Sequence, residues 1–319
     1  MSELVLVTAF FDINRDKVRG YERTRNDYFK FFEFWARIKN ELIVFCNKDD
    51  ADKIREIRAK HGLDDRTIIH CIDDVYSIES DIYFRMKKIA KDEKFLALRY
   101  RYDAIENQAE YDYIMLLKYW FVMKANQLIE KECNFVWFDF GFNHGGEYYK
   151  DPEEFNFLWE HEFDGKINCF CIDNPSNSFP LDNLLFFKDC FHGSPVIIPS
   201  SLSTWFWEKI KDAMYSLLSI GCIDDDQQLI LMVYKNNNEY FSYIQCGWFE
   251  GLNICSNNHF KRTVHTVIDT NCRSNSDSTI IRIKRHIKKI INKLLRRKTK
   301  SHIDLYVERI QEILKKYYG

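Results

Sequence analysis

Apolar and polar positions alternate along the chain in segments that read as strands and helices in turn. Leu4 to Ile13 is almost continuously apolar, as expected of a strand covered on both faces. Asn26 to Ile38 has a helical repeat with an aromatic face of Phe29, Phe32 and Trp35, and Asn26 is placed to cap it. Glu41 to Cys46 predicts a second strand. Asp49 to His61 predicts a charged helix that Gly62 can end, and Arg66 to Cys71 a third strand. This β-α-β-α-β order predicts a doubly wound, Rossmann-like α/β sheet.

Asp74 to Asn107 is charged, rich in Arg and Tyr, and helical in part. Tyr111 to Lys131 reads as a helix with the core stripe Ile114, Leu117, Phe121, Ala125 and Leu128, into which Lys118 intrudes. A buried strand follows at Asn134 to Phe142, with Asp139 at the end of its apolar run and Gly141 two residues on. Asp151 to Glu162 predicts an acidic helix with Pro152 in its first turn. Lys166 to Asp173 predicts an alternating strand, and Leu184 to Phe187 and Pro195 to Pro199 short strands. Thr204 to Ser219 predicts a helix, and Leu229 to Tyr234 a further apolar segment. Residues 239 to 269 read as short strands and turns, 270 to 279 as a linker, and Ile303 to Tyr318 as a last helix. The expected organisation is a body of residues 1–269 and a basic helical tail within 270–319.

Composition adds three constraints. Of 319 residues, 46% are hydrophobic and 16% aromatic, enough for one large core and too many for a disordered chain. The net charge of −2 hides an asymmetry. Residues 280 to 300 hold ten Lys and Arg and no acid, so the remainder carries 36 basic against 48 acidic residues, or −12. Ten cysteines without a Cys-x-x-Cys pair predict free thiols in a reducing compartment, with Cys169 and Cys171 on one face of a strand. The first residues lack a basic stretch before their apolar run, which is not the pattern of a signal peptide, and no run is long enough to span a bilayer.

Five features carry candidate chemistry. A carboxylate at the mouth of a core strand, Asp139, is costly unless it is paired or holds a metal, and ligands of open α/β sheets gather at the carboxyl ends of strands. It fits either a hard cation such as Mg2+ or Mn2+ or a structural turn cap. Asp224, Asp225 and Asp226 repel one another, so at least one pKa should rise toward that of a general base; acids at a helix start do this too without any catalytic role. Lys118 would reach a diphosphate or snorkel to the surface. His192-Gly193-Ser194 allows close backbone approach to a sugar or phosphate, or is structural. In the last, Ile280, Ile283, Ile287, Ile290, Ile291 and Leu294 share one helical face, with Arg282, Arg285, Lys289, Lys293 and Arg296 on the other. That profile suits an anionic membrane surface or packing on the body, and the acidic body argues against nucleic acid. No Gly-x-Gly-x-x-Gly or Walker A loop is present, which sets aside dinucleotide and P-loop chemistry.

In this order, the motifs Val7-Thr-Ala-Phe-Phe-Asp-Ile-Asn-Arg15, Arg25-Asn-Asp-Tyr-Phe-Lys-Phe-Phe32, Met115-Leu-Leu-Lys118, Trp137-Phe-Asp-Phe-Gly141 and Asp224-Asp-Asp-Gln227 resemble the bacterial HtrL/YibB family, which includes WlaTC-like proteins of surface-polysaccharide loci. The resemblance covers most of residues 4–250. It implies a GT-A-like Rossmann-type mixed sheet flanked by helices, and a glycosyltransferase moving a sugar from a nucleotide sugar, by analogy UDP-linked, to lipopolysaccharide, lipooligosaccharide or capsule. Carried over, Asp139 takes the metal or donor-phosphate position, for Mn2+ or Mg2+, and Lys118 the lysine position of the preceding helix; Thr8, Ala9, Phe10, Arg15 and Gly141 are expected to complete the donor site around them. Asp225, Asp226 and Gln227 match the family's acidic-Gln motif near the acceptor; Asp226 or Asp225 is the expected catalytic residue, and His192 and Gly193 are expected to join Gln227 at the glycan or lipid-linked acceptor. The motif at Asp139 lacks the second acid of Asp-x-Asp. The basic tail, which lies outside the resemblance, is expected to hold the enzyme at the inner face of the bacterial cytoplasmic membrane. The rival expectations are a non-catalytic member of a glycan assembly complex and a nucleotidyltransferase.

Overall fold

The computed structural model describes residues 3–18, 22–98, 108–186, 188–257, 259–260, 311–312 and 315. The chain divides into two units, Met1–Lys261 and Arg262–Gly319. The linker, the basic face at Arg282, Arg285, Lys289, Lys293 and Arg296, and nearly all of the final helix expected at Ile303 to Tyr318 lie outside the described residues.

The first unit is built on a mixed seven-stranded sheet of order β3-β2-β1-β4-β6-β5-β7, with helices on both faces. Strands β1 (Leu4–Phe10), β2 (Leu42–Cys46), β3 (Thr67–Cys71) and β4 (Asn134–Trp137) are parallel. Strand β6 (Val196–Pro199) pairs antiparallel to β4 and to β5 (Ile167–Cys171), and the edge strand β7 (Phe241–Gln245) runs parallel to β5. The expected α/β class, a Rossmann-type mixed sheet flanked by helices, is the one observed. Successive side chains of a strand point to opposite faces. Val5 and Val7 accordingly enter one core, and Leu4, Leu6 and Phe10 the other.

The second of these cores is sealed by α1 (Arg25–Trp35) and α2 (Lys48–Ala59). Helix α1 starts one residue before Asn26. Thr24 caps it, accepting from the Asp27 N–H while Asp27 accepts from the Thr24 N–H, a reciprocal box that satisfies two otherwise unpaired donors. Helix α2 ends at Gly62, whose φ of 66° a side-chain-bearing residue adopts at a cost. The first core is covered by α3 (Ser80–Ile89), α4 (Glu93–Leu98), α5 (Ala109–Ile129), α7 (Ser203–Ser219) and α8 (Asp226–Asn236). Helix α5 is apolar nearly all round and has twelve buried residues, which marks a central helix, not a surface one.

The structure corrects several expected elements. Leu128, expected in the stripe of α5, is exposed near the helix end. The acidic segment 151–162 forms only a 3-10 turn, Pro152–Phe155, because Asp151 caps the Glu153 N–H and the chain then turns away. The strand expected at Leu184 to Phe187 is not seen over 184–186, and Phe187 lies outside the described residues. Residues 180–186 form helix α6 (Pro180–Phe186), with Pro180 at its first position, where its missing N–H costs nothing. Strand β5 does not alternate: four of its five residues are buried, Cys169 and Cys171 among them. Leu229 to Tyr234 lies within α8, and 239–260 contains β7 and a short helix α9 (Glu250–Cys255). Nine cysteines fall among the described residues and all are free thiols. Among those residues no helix is long and apolar enough to cross a membrane.

The chain runs from β1 outward through β2 to β3, then returns to the other side of β1 with β4. Strand order therefore reverses between β1 and β4. Ligands of open α/β sheets bind outside the carboxyl ends of the strands at such a switch point. Phe10, Phe11 and Asp12 leave the end of β1 there, and Phe138, Asp139 and Phe140 leave the end of β4.

Candidate functional site

A cavity of about 400 Å³ opens at this switch point. Its floor is an ion pair in the body of the protein. Lys118, on α5, has a side chain only 2% exposed, and its Nζ lies 2.9 Å from Asp226 Oδ2 and 3.1 Å from Asp139 Oδ1. Nζ also donates to the Gly193 carbonyl at 3.3 Å. The snorkelling alternative for Lys118 is thereby excluded: the ammonium points inward, because two carboxylates meet it. Burial works to lower its pKa, but Asp139 and Asp226 outweigh this and raise it, so Lys118 stays charged.

The acids of the cluster differ. Asp139 is partly exposed, and its Oδ1 also accepts from Trp137 Nε1 at 2.7 Å, while its backbone N–H donates to Ser194 Oγ at 3.0 Å. Asp226, at the first position of α8, is fully enclosed. Burial pushes its pKa up to about 6, Lys118 opposes the rise, and Asp139 adds to it. Tyr119 OH stands 3.4 Å from the same Oδ2. Asp225 caps α8 by accepting from the Gln227 N–H at 3.0 Å, and burial, then Asp226, Asp224 and Asp189, push its pKa well above the usual carboxylate range. The capping and titration readings of the acidic run therefore both hold: Asp225 caps α8, and both Asp225 and Asp226 titrate high.

Three consecutive residues form one wall. The His192 N–H donates to Phe170 O on β5 at 2.8 Å, the Gly193 carbonyl accepts from Lys118 on α5, and Ser194 Oγ accepts from the Asp139 N–H after β4. A Cβ on Gly193 would stand 2.9 Å from Asp226 Oδ2 and 3.1 Å from Lys118 Nζ. Gly193→Ala is expected to cost about 1–3 kcal/mol through this overpacking. A urea unfolding curve reads it, and an unshifted midpoint would refute the tight contact.

Of the residues expected to bind donor, acceptor or metal, the cavity brings together Ala9, Phe10, Arg15, Lys118, Asp139, Gly141, His192, Gly193, Asp225, Asp226 and Gln227. Thr8 is not among its lining residues. It is fully buried in β1, one pleat short of Phe10 on the same face. Arg15 donates from its NH1 to Tyr28 OH at 2.8 Å and lies 5.2 Å from the centre of the Tyr111 ring. Sequence reasoning missed Tyr28, Tyr111, Arg23, His144 and Trp248, which also line the cavity. Tyr28 lies within the Arg25–Phe32 motif already singled out, whereas nothing local marks Trp248. The donors present do not fit the expected Mn2+ or Mg2+. Lys118 Nζ occupies the position between the Asp139 and Asp226 carboxylates where a cation would sit, and among the described residues no three His, Cys, Asp or Glu side chains converge on a common point.

Among proteins of known sequence, the chain is 27% identical over 271 residues to Protein HtrL of Escherichia coli (strain K12), covering 78% of this chain and 91% of that protein. Among solved structures, it overlays the apo crystal structure of mouse xyloside xylosyltransferase 1 with a TM-score of 0.38 and 11% identity, over 82% of this chain and 93% of the other. The family described as "Bacterial protein of unknown function (HtrL_YibB)" matches residues 2–257, so the chain belongs to the HtrL/YibB family.

Proposed function

We propose that the protein is a glycosyltransferase that takes its sugar from a nucleotide-sugar donor, UDP-linked by analogy, and passes it to a hydroxyl of a cell-surface glycan. The observation that carries this reading is the enclosed Asp226, held on Lys118 beside Asp139 at the switch point of the sheet. A carboxylate whose pKa is near 6 is ionised at neutral pH yet basic enough to accept a proton in a transition state. In the transfer, the bond from the anomeric carbon to the diphosphate oxygen breaks and its electron pair leaves on the diphosphate. The acceptor oxygen forms the new bond to that carbon, and its proton passes to Asp226. Lys118, Asp139 and Asp226 together carry a net −1, so the departing diphosphate is better met by Arg15, Arg23 and Lys188, which also line the cavity. No step here is routed through a metal.

The test is transfer from a panel of UDP-sugars to a surface-glycan acceptor, with UDP binding followed by calorimetry. Arg15→Leu is expected to weaken UDP about tenfold or more, the worth of a hydrogen bond to a charged group. A UDP affinity indifferent to Arg15, or no turnover of any sugar nucleotide, would count against the reading.

A further inference from the structure

His192 is only 2% exposed, yet neither of its ring nitrogens has a hydrogen-bond partner among the described residues. The same holds for Gln227 Oε1 and for Gln228 Oε1. The orientation of the Gln228 amide is set by its Nε2, which donates to Pro180 O at 2.8 Å. All three side chains line the one cavity, and Trp248 joins them, 39% exposed, with its ring 5.0 Å from the imidazole. Buried polar atoms are nearly always bonded, so four orphans on side chains that line one cavity call for a ligand.

The chemistry of the orphans selects among ligands. Burial lowers the His192 pKa to about 4, so the imidazole is neutral and offers one donor and one acceptor. With the two amide oxygens the set is one donor and three acceptors. A phosphate only accepts, would leave both amide oxygens unpaired, and would face Asp226. An ammonium only donates and would face the imidazole N–H. Hydroxyl groups both donate and accept, and a pyranose carries several on a ring whose C–H face suits an indole.

We propose that His192, Gln227, Gln228 and Trp248 form a pyranose subsite, with the sugar ring against Trp248 and its hydroxyls bonded to the imidazole and the two amide oxygens. This rests on the glycosyl-transfer reading and assigns its two halves: sugar at the His192 corner, diphosphate toward Arg15. His192 and Trp248 then act on specificity, not on the nucleotide.

Calorimetry with UDP and a panel of UDP-hexoses tests it. In the wild type at least one UDP-hexose binds more tightly than UDP. His192→Phe and Trp248→Ala each lower that ratio about tenfold, the loss of one or two hydrogen bonds or of the ring contact, and leave the affinity for UDP unchanged. A ratio unmoved by both substitutions overturns the subsite, as does an equal loss of UDP and UDP-hexose binding. Should His192→Phe not fold, His192→Gln takes its place and is expected to retain part of the increment. If neither UDP nor any UDP-hexose binds, the donor reading fails on its own. Saturation-transfer NMR with methyl glucoside and methyl galactoside then still decides the subsite: signal in the wild type that is lost in Trp248→Ala supports it, and no signal in the wild type overturns it.

Discussion

Replacing Lys118 by methionine is expected to remove about 3–5 kcal/mol of folding stability at neutral pH, the usual result of leaving one partner of a buried pair uncompensated. Methionine is close in length and fills the same channel, so the loss reports charge more than volume. Asp226 would keep its enclosure and the repulsion of Asp139 and lose the group that does most to hold its pKa down. The pH dependence follows with a definite sign. Asp226 already has a folded pKa of about 6 against an ordinary 3.8, so between those values the native state binds more protons than the unfolded chain. Stability from this group therefore falls as pH rises through that interval. Without Lys118 the folded pKa moves higher still. The deficit of Lys118→Met should be smaller near pH 4 and grow by up to about 1.4 kcal/mol per pH unit as pH rises past 6. Adding Asp226→Asn should recover most of the loss, because neither charge is then left alone in the core. Urea unfolding across pH reads all three proteins. A deficit independent of pH, or a double variant no better than the single, would show that the ion pair is not what holds this floor together.

Asp226→Asn alone is expected to lower sugar transfer by about 10²- to 10⁴-fold, the range for loss of a general base. Asparagine keeps the shape of the side chain, and Lys118 keeps Asp139 as counter-charge at 3.1 Å, so donor affinity should change far less than turnover. The wild-type rate should rise with pH through about 6 as Asp226 ionises, and that limb should vanish in the variant. His192, neutral down to about pH 4, contributes no limb in this interval. Asp225→Asn is the control. Asn also caps helices well, so α8 should survive, and a comparable collapse in rate there would move the base to Asp225. Steady-state rates at saturating donor separate the cases.

The first half of the fold was legible because its signals are local. The continuous apolar runs at β1, β2 and β4 and the aromatic repeat of α1 each announce their element within a few residues, and the β-α alternation orders them. The second half was harder. Residues 180–186 are too few for a period to declare itself, and the run 151–162 has helix-favouring acids but only enough backbone geometry for a single turn. The candidate site was legible as residue types and not as a geometry. Asp139, Lys118 and Asp226 each stood out as polar groups in apolar surroundings. Nothing in the order of residues says that an ammonium on α5 meets a carboxylate 108 positions later, or that it also lies 3.1 Å from Asp139. Trp248 left no signal, because an aromatic in a turn after an edge strand matters only once the cavity is closed around it.

The wall at residues 192–194 has a consequence for how the cavity meets a ligand. Each residue is fastened to a different element: to β5 through Phe170, to α5 through Lys118, and to the end of β4 through Asp139. The backbone that carries the imidazole is therefore ordered when the chain folds, not when a sugar arrives. Conformational entropy lost in advance is not lost again on association. The span from the His192 corner to Asp226 then behaves as a fixed gauge. If the subsite proposed there holds a pyranose, a sugar that matches it would bind with little reorganisation, and one of a different shape would meet a surface that does not yield to admit it.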